Sequence, residues 1–249
     1  MITDSFDIES EAIISPNLTR NRTHCDVCLV TFSDVILQNI IDNYNAKQVG
    51  IFKCVNGQFP IYTFQHEGKT IGLYRTLLGA SASVGVLEDV TEVLECDKYI
   101  VWGAAGCLNK ELCYNKVVVP TEAYRDEGTS YHYAPASDYI EVINADRVAD
   151  FMQRNGISYY KGKCWTTDAF YRETKNNFKK RTNDGCVVVD MECSAMQAVC
   201  NFRHLSLYYF LICGDVLDAP KWCDDGLHDA NHNLNGASIA VHLALDICK

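Results

Sequence analysis

Asp190-Met191-Glu192 places two carboxylates one residue apart, directly after the three valines Val187 to Val189. An unbroken β-branched run fits a strand covered on both faces. From Cys193 the small and apolar residues take helical spacing, with Ala195, Val199 and Phe202 on one face. The acids therefore fall where a strand ends and a helix begins, and in open α/β sheets ligands bind in the crevice at strand carboxyl ends. The same pair on an ordinary loop would simply be solvated. A third acid, Asp215, follows the apolar run Ser206–Cys213 and Gly214. Desolvation there would raise its carboxyl and keep a proton on it for general acid work. As a turn residue it would only cap the loop. Tyr124 to Tyr133 gathers Arg125, Asp126, Glu127, His132 and three tyrosines around Gly128, a density that suits a ligand site or a Tyr-rich subunit interface.

These groups need a framework of alternating strands and helices. Cys25–Phe32 reads as the first core strand, and Ser33 is placed to cap a helix over Asp34–Tyr44 with Val35, Ile36, Ile40 and Ile41 inward. Short strands follow at Gln48–Lys53, Ile61–Gln65 and Thr70–Arg75, with turns at Asn56-Gly57 and Glu67-Gly68. Leu77–Gly85 is a run of small residues leading into a helix that extends to Cys96. Its backbone N–H groups are suited to an anion, although close packing of helix on sheet would use the same residues. Tyr99–Trp102 is a buried strand ending in the turn Gly103-Ala104-Ala105-Gly106, and Val117–Ala123 is the next strand. Helices are predicted over Ala145–Asn155 and Ala237–Cys248, with a polar helix ending at Asn183. The pattern predicts an α/β fold with a mixed sheet between helical layers. Residues 1–24 form a polar arm, and 25–249 a single domain without a linker or repeat.

The net charge of −10 and the lack of a Lys/Arg cluster argue against a nucleic-acid surface. No apolar run approaches the ~20 residues of a membrane span. Thirteen scattered cysteines and an N-terminus without a signal-like pattern fit reduced thiols in the cytoplasm. Gly68-Lys69-Thr70 is no phosphate loop, because Thr63 stands where the required glycine would be.

Val189-Asp190-Met191-Glu192-Cys193-Ser194-Ala195 resembles the signature of nucleoside phosphorylases. Gly103-Ala-Ala-Gly106, Arg125 to Tyr133, Thr166-Thr-Asp-Ala-Phe-Tyr171 and Gly214-Asp215 match the same family in order. The resemblance spans most of residues 25–245. It implies a three-layer α/β/α domain assembled as dimers or trimers of dimers. It also implies phosphate-dependent cleavage of a nucleoside glycosidic bond, with inorganic phosphate as co-substrate and no metal or organic cofactor. By the same resemblance Met191 covers the ribose, Glu192 grips its hydroxyls, Asp190 belongs to the substrate-binding set, and Phe170 stacks on the base. Ala104, Ala105 and Gly106 approach the substrate, and Asp215 protonates a purine ring nitrogen.

The chain also departs from the family pattern. The early Gly-Asp-Pro-x-Arg phosphate loop is here Phe32-Ser-Asp-Val-Ile36. The arginine before the Gly-x-x-Gly turn aligns with Val101, and the hydroxyl residue inside that turn with Ala104. The base-reading Gln and Arg of uridine phosphorylase fall near Thr174 and Asn176, which points away from uracil. Ser81, Arg75 and Arg125, with Arg172, are the candidate phosphate contacts. Three readings follow: a phosphorylase with an altered phosphate site, a hydrolytic nucleosidase, or a non-catalytic nucleoside-binding or storage protein.

Overall fold

The computed structural model describes residues 1–18, 21–218 and 221–249. Its strands are β1 (Thr23–His24), β2 (Val27–Thr31), β3 (Lys47–Cys54), β4 (Gly57–His66), β5 (Lys69–Arg75), β6 (Leu94–Glu95), β7 (Lys98–Cys107), β8 (Val117–Asp126), β9 (Tyr139–Glu141), β10 (Tyr159–Thr167), β11 (Cys186–Asp190) and β12 (Ser206–Val216). The helices are α1 (Asp34–Tyr44), α2 (Ala80–Thr91), α3 (Lys110–Cys113), α4 (Ser130–Tyr133), α5 (Ala145–Arg154), α6 (Lys175–Asn183), α7 (Cys193–Phe202), α8 (Leu227–Asn231) and α9 (Leu234–Ile247). One large mixed sheet runs β11-β10-β8-β12-β7-β2-β5-β4-β3, with β9 on β8. Helices α1, α5 and α9 contact one another as one layer, and α2, α4 and α7 as another.

β7 organises the sheet because it changes partner along its length. Tyr99 to Val101 pair with β2, whereas Gly106 and Cys107 pair with β11. The β11 contact also closes β7, β12, β8, β10 and β11 into a ring. The buried faces explain the strand composition. Val27–Thr31 and Cys186–Asp190 are buried at every position, as unbroken apolar runs require. Trp102 stacks on Phe210 at a centroid separation of 6.1 Å within this core.

The capped helix appears as expected, with Ser33 Oγ accepting from the Ile36 N–H at 3.2 Å. Val35 does not point inward: it is exposed, because the stripe facing the sheet runs through Ile36 and Ile40. The second helix stops at Thr91 rather than Cys96. The Thr23 N–H bonds to the Val93 carbonyl, so the chain there is drawn off to pair β6 with β1. Gly103 to Gly106 are not a turn. They continue β7, because Gly103, Ala104 and Ala105 pair with Leu211, Ile212 and Cys213 of β12. Likewise Gly214-Asp215 lies inside β12, whose register shifts between Cys213 and Val216. All 13 cysteines are free thiols.

Candidate active site

Between the β2 and β11 pairings, residues 102–105 of β7 have no strand neighbour on that edge among the described residues, and a cleft lies beside them. This is the switch-point geometry that favours ligand binding in α/β sheets. Trp102, Gly103 and Ala104 form its floor, Thr31 and Phe32 its β2 wall, and Leu78 and Glu192 another side. Asn231 closes it from α8. A Cβ at Gly103 would stand 3.0 Å from the Phe32 ring, so a larger residue here would have to displace that ring.

Glu192 precedes α7 and is 5% exposed. Its Oε1 accepts the Gly79 N–H at 2.6 Å. Gly79, at φ +93°, is the N-cap of α2. A carboxylate of the chain itself thus occupies part of the anion-suited helix entrance that the Leu77–Gly85 run presents. Burial, reinforced by the Asp190 charge, pushes the Glu192 carboxyl up to about 8, against the stabilising N–H groups of Gly79 and Met191.

Asp190 plays a different part from its neighbour. Its carboxylate accepts from Thr166 Oγ1 at 2.7 Å, the Cys193 N–H at 2.9 Å, Tyr209 Oη at 3.0 Å and Cys164 Sγ at 3.3 Å. Those donors come from β10, α7 and β12, so one buried acid fastens three elements. Burial raises its carboxyl, and the four donors oppose that rise.

Arg125 is also an internal fastener. It is 3% exposed, and its guanidinium makes four hydrogen bonds, to Ser130 Oγ, the Pro135 and Ala134 carbonyls and Ser137 Oγ. It also stacks over Tyr131 at 4.1 Å. That leaves little of its five-donor fork for an anion. Glu127 accepts from the Ser130 N–H and Ser194 Oγ, each at 2.9 Å, and ties this segment to α7. Arg75 pairs through Nε with Asp34 at 2.6 Å and lies over the Phe59 ring. Ser81 is exposed on the first turn of α2.

The residues expected on the base side are not among those that line the cleft. Phe170 and Tyr171 lie with ring centroids 4.1 Å apart and planes tilted by 42° in a 3-10 turn, Phe170–Arg172, and both are exposed. Asp215 accepts from Trp222 Nε1 at 2.7 Å. Gly106 lies close beneath it, since a Cβ there would stand 3.4 Å from Asp215 Oδ1. Burial, and then the Asp215 charge, raises the carboxyl of Glu173, the residue that caps the 3-10 turn. Of the expected site residues, Ala104 and Glu192 line the cleft. Met191 is half-buried beside it in sequence, and Ala105 is buried in the core. Gly79, Trp222 and Glu173 were not legible in advance. Only the acid in Phe170-Tyr-Arg-Glu173 offered a signal, its closeness to the aromatic pair.

Residues 26–244 match the model of the phosphorylase superfamily, and the chain belongs to that family. Its members include nucleoside phosphorylases, which gives the chain its coarse function in nucleoside cleavage. A purine nucleoside phosphorylase of DeoD type from Exiguobacterium sibiricum is 22% identical over 177 residues, 69% of this chain and 74% of that protein. Uncharacterized protein R802 of Acanthamoeba polyphaga mimivirus is 27% identical over 175 residues, 68% of this chain and 67% of that protein. Among solved structures, AMP nucleosidase from Bacteroides thetaiotaomicron superposes with a TM-score of 0.68 at 17% identity, over 90% of both chains. That likeness concerns the fold, and it agrees with the three-layer mixed-sheet architecture. Among the described residues no helix is long and apolar enough to cross a membrane.

Proposed function

We propose that the chain cleaves the N-glycosidic bond of a purine nucleoside in the Glu192 cleft. The observation that carries this reading is Glu192 itself, a buried carboxylate on the cleft wall with one oxygen fixed by Gly79. Its other oxygen is then the acceptor for ribose hydroxyls, while Met191 covers the apolar sugar face. Breaking the C–N bond leaves positive charge on the sugar and negative charge on the base. The carboxylate favours the first, and an acid at the Asp215 end neutralises the second. Phe170 supplies the stacking face for the base.

The acceptor follows from charge. Among the described residues, none lining the cleft is Lys or Arg, and Arg75 and Arg125 are engaged with other groups. A phosphate anion beside Glu192 would lack a counter-charge, which is costly in a partly desolvated site. That favours hydrolysis to free base and ribose. Phosphorolysis to ribose 1-phosphate is the second reading, favoured by the names of the bacterial relatives. A cytoplasmic homo-oligomer without metal or organic cofactor belongs to the same proposal.

The test is a panel of inosine, adenosine, guanosine and uridine, with and without phosphate, scored for base and sugar product. Purine turnover that is independent of phosphate and yields free ribose is the expected result. Dependence on phosphate with ribose 1-phosphate as product would select the second reading. Turnover of none would leave a binding protein.

A further inference from the structure

Two thiols stand side by side where the small sheet β1–β6 ends. These strands run parallel, with Thr23 opposite Leu94 and His24 opposite Glu95. The Cys25 N–H extends the ladder to the Glu95 carbonyl at 3.1 Å, so Cys25 and Cys96 hold the next rung. Neighbouring strands lie about 4.8 Å apart, within the ~4.4–6.8 Å Cα separation that a disulfide bridges. The two side chains are in hydrogen-bond contact. Gly72 of β5 leaves room beneath them, since a Cβ there would stand 3.0 Å from Cys25 Sγ and 3.1 Å from Cys28 Sγ. A cavity of about 550 Å³ adjoins the rung, lined by Cys25, Cys96 and Cys248 with Arg22, His24 and Lys98. Among the described residues, none that lines it also lines the Glu192 cleft. Cys96 is half-buried and donates to the Lys98 carbonyl at 3.2 Å, whereas Cys25 is 1% exposed. An oxidant in the cavity therefore meets Cys96 first.

We propose that Cys25 and Cys96 form a reversible dithiol–disulfide site, oxidised by a low-molecular-weight disulfide that enters through this cavity. The proposal is independent of the nucleoside reading. Cys96 loses its proton to solvent, and its sulfur attacks one sulfur of the incoming disulfide. That S–S bond breaks, one half leaves as a thiolate, and the other half stays on Cys96 as a mixed disulfide. Cys25 then gives its proton to the released thiolate, and its sulfur attacks Cys96 Sγ. The second half leaves as a thiolate and takes up the proton that Cys96 released to solvent. Two protein thiols are thus oxidised by two electrons, and one small disulfide is reduced to two thiols. Cys25 suits the second step. Its hydrogen bond to Cys96, and then burial, push its thiol well up, so it keeps its proton until Cys96 has reacted. The new bond fastens β1 to β6 across a loop running from residue 25 to residue 96.

The whole protein, incubated with glutathione disulfide, alkylated and mapped by mass spectrometry, tests this. A peptide linking Cys25 to Cys96 should form and be reversed by reduced glutathione. The oxidised protein should melt about 5 °C above the reduced one, as expected for closing a long loop. Cys25→Ala should stop with glutathione on Cys96. Cys96→Ser should leave Cys25 a free thiol and abolish the rise in melting temperature, and its half-buried position keeps the test open should Cys25→Ala fail to fold. Recovery of Cys25 and Cys96 as free thiols overturns the proposal. So does a glutathione adduct on wild-type Cys96 that never resolves, or a bond from Cys96 to Cys28 or Cys248 instead. A linked peptide with an unchanged melting temperature overturns the fastening of β1 to β6.

Discussion

Asp190 and Glu192 are chemically alike and one residue apart, yet their surroundings divide their work. Asp190 has four donors from three elements, while Glu192 has the N–H groups of Gly79 and Met191 and faces the cleft. Asp190→Asn should therefore act on stability, because an amide NH2 group would face donors and leave them unsatisfied, at ~1–3 kcal/mol each. A urea midpoint that falls with unchanged m-value checks this. Glu192→Gln should act on turnover: above pH 8, where the carboxyl is ionised, a charge-assisted hydrogen bond of ~1.5–3 kcal/mol predicts a loss of about 10- to 100-fold in kcat/KM. Unchanged kinetics would remove Glu192 from the site. The pH dependence has a definite sign. The folded carboxyl lies at about 8 against 4.5 as the reference, so its contribution to stability is complete below 4.5 and lost as pH rises through 8. Glu192→Gln removes that loss. Its melting temperature should exceed that of the wild type at pH 9 and match it near pH 5, as read by calorimetry.

At the scale of elements, the decisive feature is the exchange of partners by β7. The floor of the cleft exists because β2 leaves that strand before β11 joins it. At the join, a Cβ on Gly106 would lie 2.7 Å from both Leu217 and Val189. Gly106→Ala should cost ~1–3 kcal/mol, the usual range for overpacking. Because Asp215 is part of the same contact, the variant should also lose purine cleavage at temperatures where it remains folded. Circular dichroism paired with activity on the same sample would separate the two effects. Wild-type activity in Gly106→Ala would show that this junction does not position Asp215.

At the scale of the molecule, several large apolar side chains stand open: Leu78, which lines the cleft, is 72% exposed, Tyr171 89% and Trp222 62%. Exposed apolar side chains in quantity mark interaction surfaces. A second copy that covers them would account for their exposure and for the assembly that the sequence resemblance implies. Light scattering at micromolar concentration should give a multiple of 28.0 kDa. A monomer would contradict that assembly.

The sequence by itself determined the main strands and long helices, because apolar runs and helical spacing encode which faces must be buried; the short elements β1, β6, β9, α3, α4 and α8, and the strand β10, carry no such pattern. It also determined the family resemblance, since the Asp190-to-Ala195 signature and the segments around it survive as contiguous strings. The Ser33 cap was legible for the same reason: donor and acceptor lie three residues apart. What only the tertiary structure decided depends on contacts distant in sequence. Asp190 is fastened by residues 164, 166 and 209, and Glu192 by residue 79, so their separate tasks could not be read from their adjacent positions. The run Gly103 to Gly106 is turn-like in composition, but pairing with β12 and β11 makes it strand. Arg125 has the chemistry of an anion ligand, and only the fold around Pro135 and Ser137 turns that chemistry inward. Local pattern fixes which groups a segment carries; long-range packing fixes which of them remain free to meet a ligand.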